Sequence, residues 1–243
     1  MKSSHTSKRS NMKKHITLLK FAIVILLSSV SLIASAQTAT PFTGPTDATT
    51  APPATAGAVG QILCYGSQIT LKGPVDATGT IKYEWYKENT SGVKTLVKGP
   101  ATDNTYTETS TTAGYYTYYL VQVNANDCTS DMSDPFKIYV LPELTPAIAG
   151  GSNVCEKAQT TTNLTITGLD TRFTYTYQWT REGVNITTGG TLDHYAVTEQ
   201  TVGTVKYAVK VAYTLNTSCT ATSADKSIVV VGVPTKPVIQ FNN

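Results

Sequence analysis

Histidine is almost missing from this sequence: of three in 243 residues, only His194 lies beyond residue 36. That excludes a multi-histidine metal site from the body of the chain and leaves one imidazole for a nucleophile triad. No serine elbow or activated cysteine accompanies His194, which reads as a solvent-facing or capping residue. Charge is scarce as well, at 14% of residues, and the acids are scattered over loops, which argues against the paired carboxylates of a glycosidase. The four cysteines include no two-residue spacing, so a zinc site of the usual kind is excluded. A helical period is lacking after the first 36 residues. Basic surplus is also lacking: those 36 residues hold six of the 19 Lys+Arg and none of the 16 Asp+Glu, and the remainder carries 13 against 16, a net of −3. With no basic stripe left, nucleic acid is excluded as a partner.

What is present begins with a leader. Lys13 and Lys14 precede an apolar run from Phe21 to Leu27 that continues to Ile33 and ends in Ala34-Ser35-Ala36. This is the order of a secretory signal peptide over residues 1–36, cleaved after Ala36. A single membrane anchor is the rival reading, but Ser28, Ser29, Ser31 and Ser35 interrupt a stretch too short for a comfortable span. No cysteine stands at the cleavage position to take a lipid. The sequence therefore predicts a secreted or cell-surface product with no membrane insertion after cleavage. Residues 37–57 hold 16 Thr, Pro or Ala in 21 positions, too few large apolar groups to offset ordering entropy, and read as a disordered, extended stalk.

The rest of the chain is written twice. Cys64 and Cys128 are 64 positions apart, as are Cys155 and Cys219, and the second pair is displaced by 91. Tyr83-Glu84-Trp85-Tyr86-Lys87 answers to Tyr177-Gln178-Trp179-Thr180-Arg181, and Tyr106 with Gly114 to Tyr195 with Gly203. Each copy is a series of short period-2 runs separated by turn residues. Val205, Tyr207, Val209 and Val211 alternate with Thr204, Lys206, Ala208 and Lys210, giving one buried and one wet face. The expected architecture is all-β: two tandem sandwiches over residues 58–141 and 142–232, with a tail, residues 233–243, that echoes Val140 to Ile148 like the first strand of a third repeat.

Residues 56 to 232 resemble the immunoglobulin-like and PKD-like repeats of secreted bacterial surface proteins: Cys, then Tyr-x-Trp, then Gly-x-Tyr, then a late Cys. The resemblance implies a β-sandwich in each copy, with Trp85, Trp179, Tyr116, Tyr118 and Tyr207 in its interior. In such a sheet the strands of Trp85 and Tyr116 are neighbours. Tyr86, Tyr115 and Tyr119 would then share an outer face of the first module, suited to stacking on a sugar or to packing on a partner, the stalk or the next module. An even cysteine count with one pair per repeat predicts the bonds Cys64–Cys128 and Cys155–Cys219. Asp127, Asp131 and Asp134 read as turn formers and not as calcium ligands, because the second copy keeps only Asp225. No catalytic residue, metal or cofactor is expected. The function that follows is non-enzymatic: a surface adhesin or structural spacer, or a fragment of one, with an unknown protein or glycan as partner. The alternatives are a carbohydrate-binding module using the tyrosine patch and a non-catalytic region of a larger secreted enzyme.

Overall fold

The computed structural model describes residues 42–157 and 162–241. The expected leader and cleavage site lie outside the described residues, as do residues 37–41 of the expected stalk. Among the described residues there is no α-helix, and so none long and apolar enough to cross a membrane. The first module contains β1 (Gln61–Leu63), β2 (Gln68–Lys72), β3 (Lys82–Glu88), β4 (Lys94–Ala101), β5 (Thr105–Thr109), β6 (Gly114–Val123) and β7 (Phe136–Val140). Its larger sheet has the order β1-β7-β6-β3-β4, and its smaller one pairs β2 with β5. The second contains β8 (Ala147–Ala149), β9 (Asn153–Cys155), β10 (Thr162–Thr167), β11 (Tyr175–Arg181), β12 (Val184–Asn185), β13 (His194–Val197), β14 (Gly203–Tyr213), β15 (Thr220–Thr222) and β16 (Lys226–Val231). Its sheets run β12-β11-β14-β16-β9, with β15 on β14, and β13-β10-β8.

Period-2 patterning builds both sandwiches. In β2 only Ile69 and Leu71 of Gln-Ile-Thr-Leu-Lys are buried, and they meet Trp85, Tyr116, Tyr118, Ile138 and Val140 from the facing sheet. In β14 the inward set Val205, Tyr207, Val209 and Val211 packs with Leu164, Trp179, Ile228 and Val230. Trp179 is fully buried and its indole N–H donates to the carbonyl of Leu192 at 2.9 Å. Trp85 is buried too, with no partner for its indole N–H among the described residues. Tyr116 ties the start of β6 to the preceding loop, its hydroxyl donating to the carbonyl of Thr112 at 2.8 Å. Val205 occupies the matching place in β14.

The two copies differ at one edge. β8 pairs with Thr165–Thr167 of β10. The pairings Leu71–Tyr106 and Leu164–Tyr195 make Gly73 and Pro74 the counterparts of Ile166 and Thr167. Pro74 has no N–H to donate and its carbonyl already accepts the Tyr83 hydroxyl at 2.7 Å, which closes that edge to a third strand. Ala56–Ala58, 91 positions before β8, accordingly forms a single 3₁₀ turn.

The disordered stalk expected over residues 37–57 requires correction where it is described. Asp47 forms an antiparallel bridge with Tyr115, and the Thr46 hydroxyl donates to the Glu88 carbonyl at 2.8 Å while accepting the Thr117 N–H at 3.0 Å. Backbone and short polar side chains fasten this segment, so its poverty in large apolar residues does not leave it loose. The close approach requires Gly114: at φ +138°, a Cβ there would lie 2.6 Å from the Asp47 carbonyl oxygen.

Candidate functional site

The three tyrosines expected on an open face do share a region, with Tyr86 and Tyr119 directly opposed across β3 and β6. An open stacking platform, however, is not what they form. Tyr119 is buried; its hydroxyl donates to the Glu88 carboxylate and the Lys94 ammonium lies 4.0 Å from its ring centre. Burial, with that carboxylate, pushes its phenol up to about 12. Tyr115 donates to the Ala51 carbonyl at 2.9 Å and sets its ring edge-on to Tyr139 at 4.7 Å. Tyr86, half-buried, donates to Glu84 at 2.8 Å. Over Tyr115 the cover is the segment taken for a stalk. Asp47 anchors that segment by accepting hydrogen bonds from Thr49 and Thr50, and hydrogen bonds from Thr50 and Thr49 hold its carboxyl well below the usual range. What remains beside it is a groove of about 920 Å³ lined by Thr46, Asp47, Thr49, Glu88, Asn89 and Tyr119 among others.

The principal construction is the junction between the modules. Cys64 is bonded to Cys219, and Cys128 and Cys155 are free and exposed. The expected pairs Cys64–Cys128 and Cys155–Cys219 are therefore wrong, for a reason visible in the strand register. β1 runs parallel to β7 with Leu63 beside Val140, and Val140 pairs with Gly114 at the start of β6. Cys128 follows Val123, the other end of that ten-residue strand. At about 3.3 Å per residue the two thiols stand on the order of 30 Å apart, against a limit near 7 Å between bridged Cα atoms. The same register separates Cys155 from Cys219. A cysteine at the foot of the first module instead meets the loop at the head of the second.

Around this bond Ile62, Tyr139 and Leu141 pack on Phe173, Tyr213 and Tyr175. Phe173 lies 6.4 Å from Tyr139 and edge-on to Tyr213 at 5.2 Å, and the Tyr175 ring lies tilted against Tyr213 at 5.1 Å. The Tyr213 hydroxyl donates to the Pro142 carbonyl, and the Asn216 amide to the Ile62 carbonyl, each at 2.9 Å. Polar atoms at the junction are thus paired while its rings exclude water.

Each module also carries a cation–carboxylate–phenol group that sequence reasoning did not single out, its cation buried in the first module and exposed in the second. Lys87, inside the first sandwich, bonds Glu108 at 2.7 Å, and the hydroxyls of Tyr118 and Tyr106 donate to the same carboxylate. Burial lowers the Lys87 pKa against the pull of Glu108 and raises that of Tyr118. In the second module Arg181 and Tyr207 converge on Glu199. The signal was available: Lys87 and Arg181 each follow their Trp by two residues, in phase with the inward face. His194 is exposed, its Nδ1 2.7 Å from Asp193, and no group of three or more metal-ligating side chains occurs among the described residues.

Comparison with known families places a match on the first module. Residues 51–142 match the family described as Ig-like domain, CHU_C associated. No curated protein matched the chain. Among solved structures it is similar to the fibronectin(III)-like modules of Clostridium thermocellum CbhA, at 17% identity, 79% of this chain, 99% of that one and a TM-score of 0.39. It is also similar to the FN1–FN3 domains of chicken CNTN1, at 11% identity, 71% of this chain, 66% of that one and a TM-score of 0.35. The described residues form two β-sandwich modules in tandem, and the first of them carries the match to the Ig-like family.

Proposed function

We propose that this is an exported, non-enzymatic surface protein in which the two modules work as one stiff unit, a spacer or adhesin that holds binding surfaces away from the cell. The observation that carries the reading is the junction. Two modules joined only by residues 141–146 would swing on that linker. Here a bond from Cys64 to Cys219 crosses it a second time and a ring cluster fills the space between. A disulfide of this kind belongs to an oxidising compartment, which agrees with the leader at residues 1–36 and with partners at the cell surface. The test is expression of the full chain in a Gram-negative host, followed by N-terminal sequencing and thiol counting. Export with a new terminus at Gln37 and Cys64 and Cys219 blocked supports the reading. Retention in the cytoplasm with four free thiols contradicts it.

A second reading, carbohydrate binding, is favoured by the groove beside Tyr119, whose hydroxyl, carboxylate and amide lining suits a sugar's hydroxyls better than an apolar ligand. Its measure is a glycan array with wild type and Asn89→Ala. Signal lost in the variant at unchanged Tm supports it, and a blank wild-type array ends it.

A further inference from the structure

The two free cysteines occupy the repeat positions of the two that are bonded. Leu63 and Val140 form an inward pair in the first module, as Val154 and Val230 do in the second. This superposition places Cys155 on Cys64, Val229 on Tyr139 and Val231 on Leu141. At the head of the modules, the Asn124 N–H donates to the Cys128 carbonyl as the Tyr213 N–H does to that of Cys219, placing Cys128 on Cys219. In the first module Tyr139 and Leu141 are 3% and 0% exposed because the second module covers them; Val229 and Val231 are 41% and 47% exposed. The foot of the second module therefore repeats, uncovered, the surface on which the first module docks its neighbour. The matching cysteine stands at the opposite end of the molecule.

We infer that a second copy of this chain docks its first module on the foot of the second, head to tail, and that Cys155 of one copy bonds Cys128 of the next. The contact is heterologous, so it leaves both outer ends able to repeat it and generates open chains. Asn124 stands where the junction has Tyr213, so the receiving face is more polar than the one inside the molecule and the covalent bond holds the contact. That bond requires an oxidant, here a small-molecule disulfide. The Cys155 thiolate attacks one of its sulfurs and expels a thiolate. The Cys128 thiolate of the next copy then displaces the second half, so that two protein thiols surrender two electrons and two protons and the oxidant leaves as two thiols. An intrachain Cys128–Cys155 bond is excluded by their placement at opposite ends.

The test uses the full exported chain, with Cys64–Cys219 formed, in a buffer of oxidised and reduced glutathione, read by non-reducing electrophoresis and peptide mapping. Wild type gives a ladder containing a Cys128–Cys155 peptide. Cys128→Ser and Cys155→Ser alone each remain monomeric, and their mixture stops at a dimer. Val229→Asp with Val231→Asp slows linkage at least fivefold. Symmetric Cys155–Cys155 or Cys128–Cys128 peptides, a rate indifferent to the valines, or no linkage at all would overturn the inference. It rests on the oxidising setting proposed above, and the same digest separates the two. A Cys64–Cys219 peptide without a ladder refutes the assembly alone, whereas loss of that peptide refutes the junction itself.

Discussion

Glu108 accepts from an ammonium and two phenols in a place where its own oxygens are mostly shielded. Removing its charge leaves Lys87, fully buried, without a counter-ion. Glu108→Gln should therefore cost the first module about 3 kcal/mol in a denaturant titration, and Lys87→Met with Glu108→Leu should recover most of it. Glu199 works through pH. Hydrogen bonds from Arg181 and Tyr207 hold its folded pKa below the ordinary value of 4.5, so its contribution is present above that value and is lost as pH falls through the folded pKa. Acid unfolding of wild type should accordingly begin below about pH 4.5, and Glu199→Gln should be less stable at pH 7 with a flatter acid limb. At the other extreme, burial raises the Tyr116 phenol to about 12. Its share of the stability is complete below its unfolded value of 10 and is lost as pH rises from 10 to about 12, measurable as a falling Tm across that window. Lys87 and Arg181 were visible in the sequence as charges on an inward phase. Their acids were not, because Glu108 follows Tyr106 by two positions while Glu199 follows Tyr195 by four, and no shared spacing marked them.

The period-2 pattern expected of each copy is complete in β2, where Gln68, Thr70 and Lys72 face out and Ile69 and Leu71 face in. β1 and β9, three residues each, were not legible, since their parallel pairing depends on Val140 and Val230 and not on any pattern of their own. The segment before them misled for a related reason. Its composition says little about order when the fastening is a backbone bridge and the hydroxyl of Thr46. Thr46→Ala should therefore speed amide exchange at Thr117, by an amount corresponding to about 1 kcal/mol, with little change in global stability. Unchanged exchange would mean that the segment is not docked on β6 in solution. The alternation of strand faces could group Tyr86, Tyr115 and Tyr119, and in the register Tyr86 stands opposite Tyr119. It could not supply what lies over them.

At the scale of the whole molecule, the displacement of 91 between the copies was legible, and with it the tandem sandwich. The cysteine pairing was not, because equal intervals along the chain do not tell which end of a sandwich each thiol occupies. The register of β1 on β7 decides that, and it turns two clasps within modules into one staple between them. Closing 155 residues contributes about 5 kcal/mol in the chain-entropy model. Cys64→Ser with Cys219→Ser should therefore lower stability by that order and split one calorimetric transition into two, as the modules come to unfold separately. The most direct trial of the junction is a peptide map of unreduced, alkylated protein. A linked pair of peptides containing Cys64 and Cys219, with Cys128 and Cys155 alkylated in the monomer, is the result required. Peptides joining Cys64 to Cys128 and Cys155 to Cys219 would contradict it.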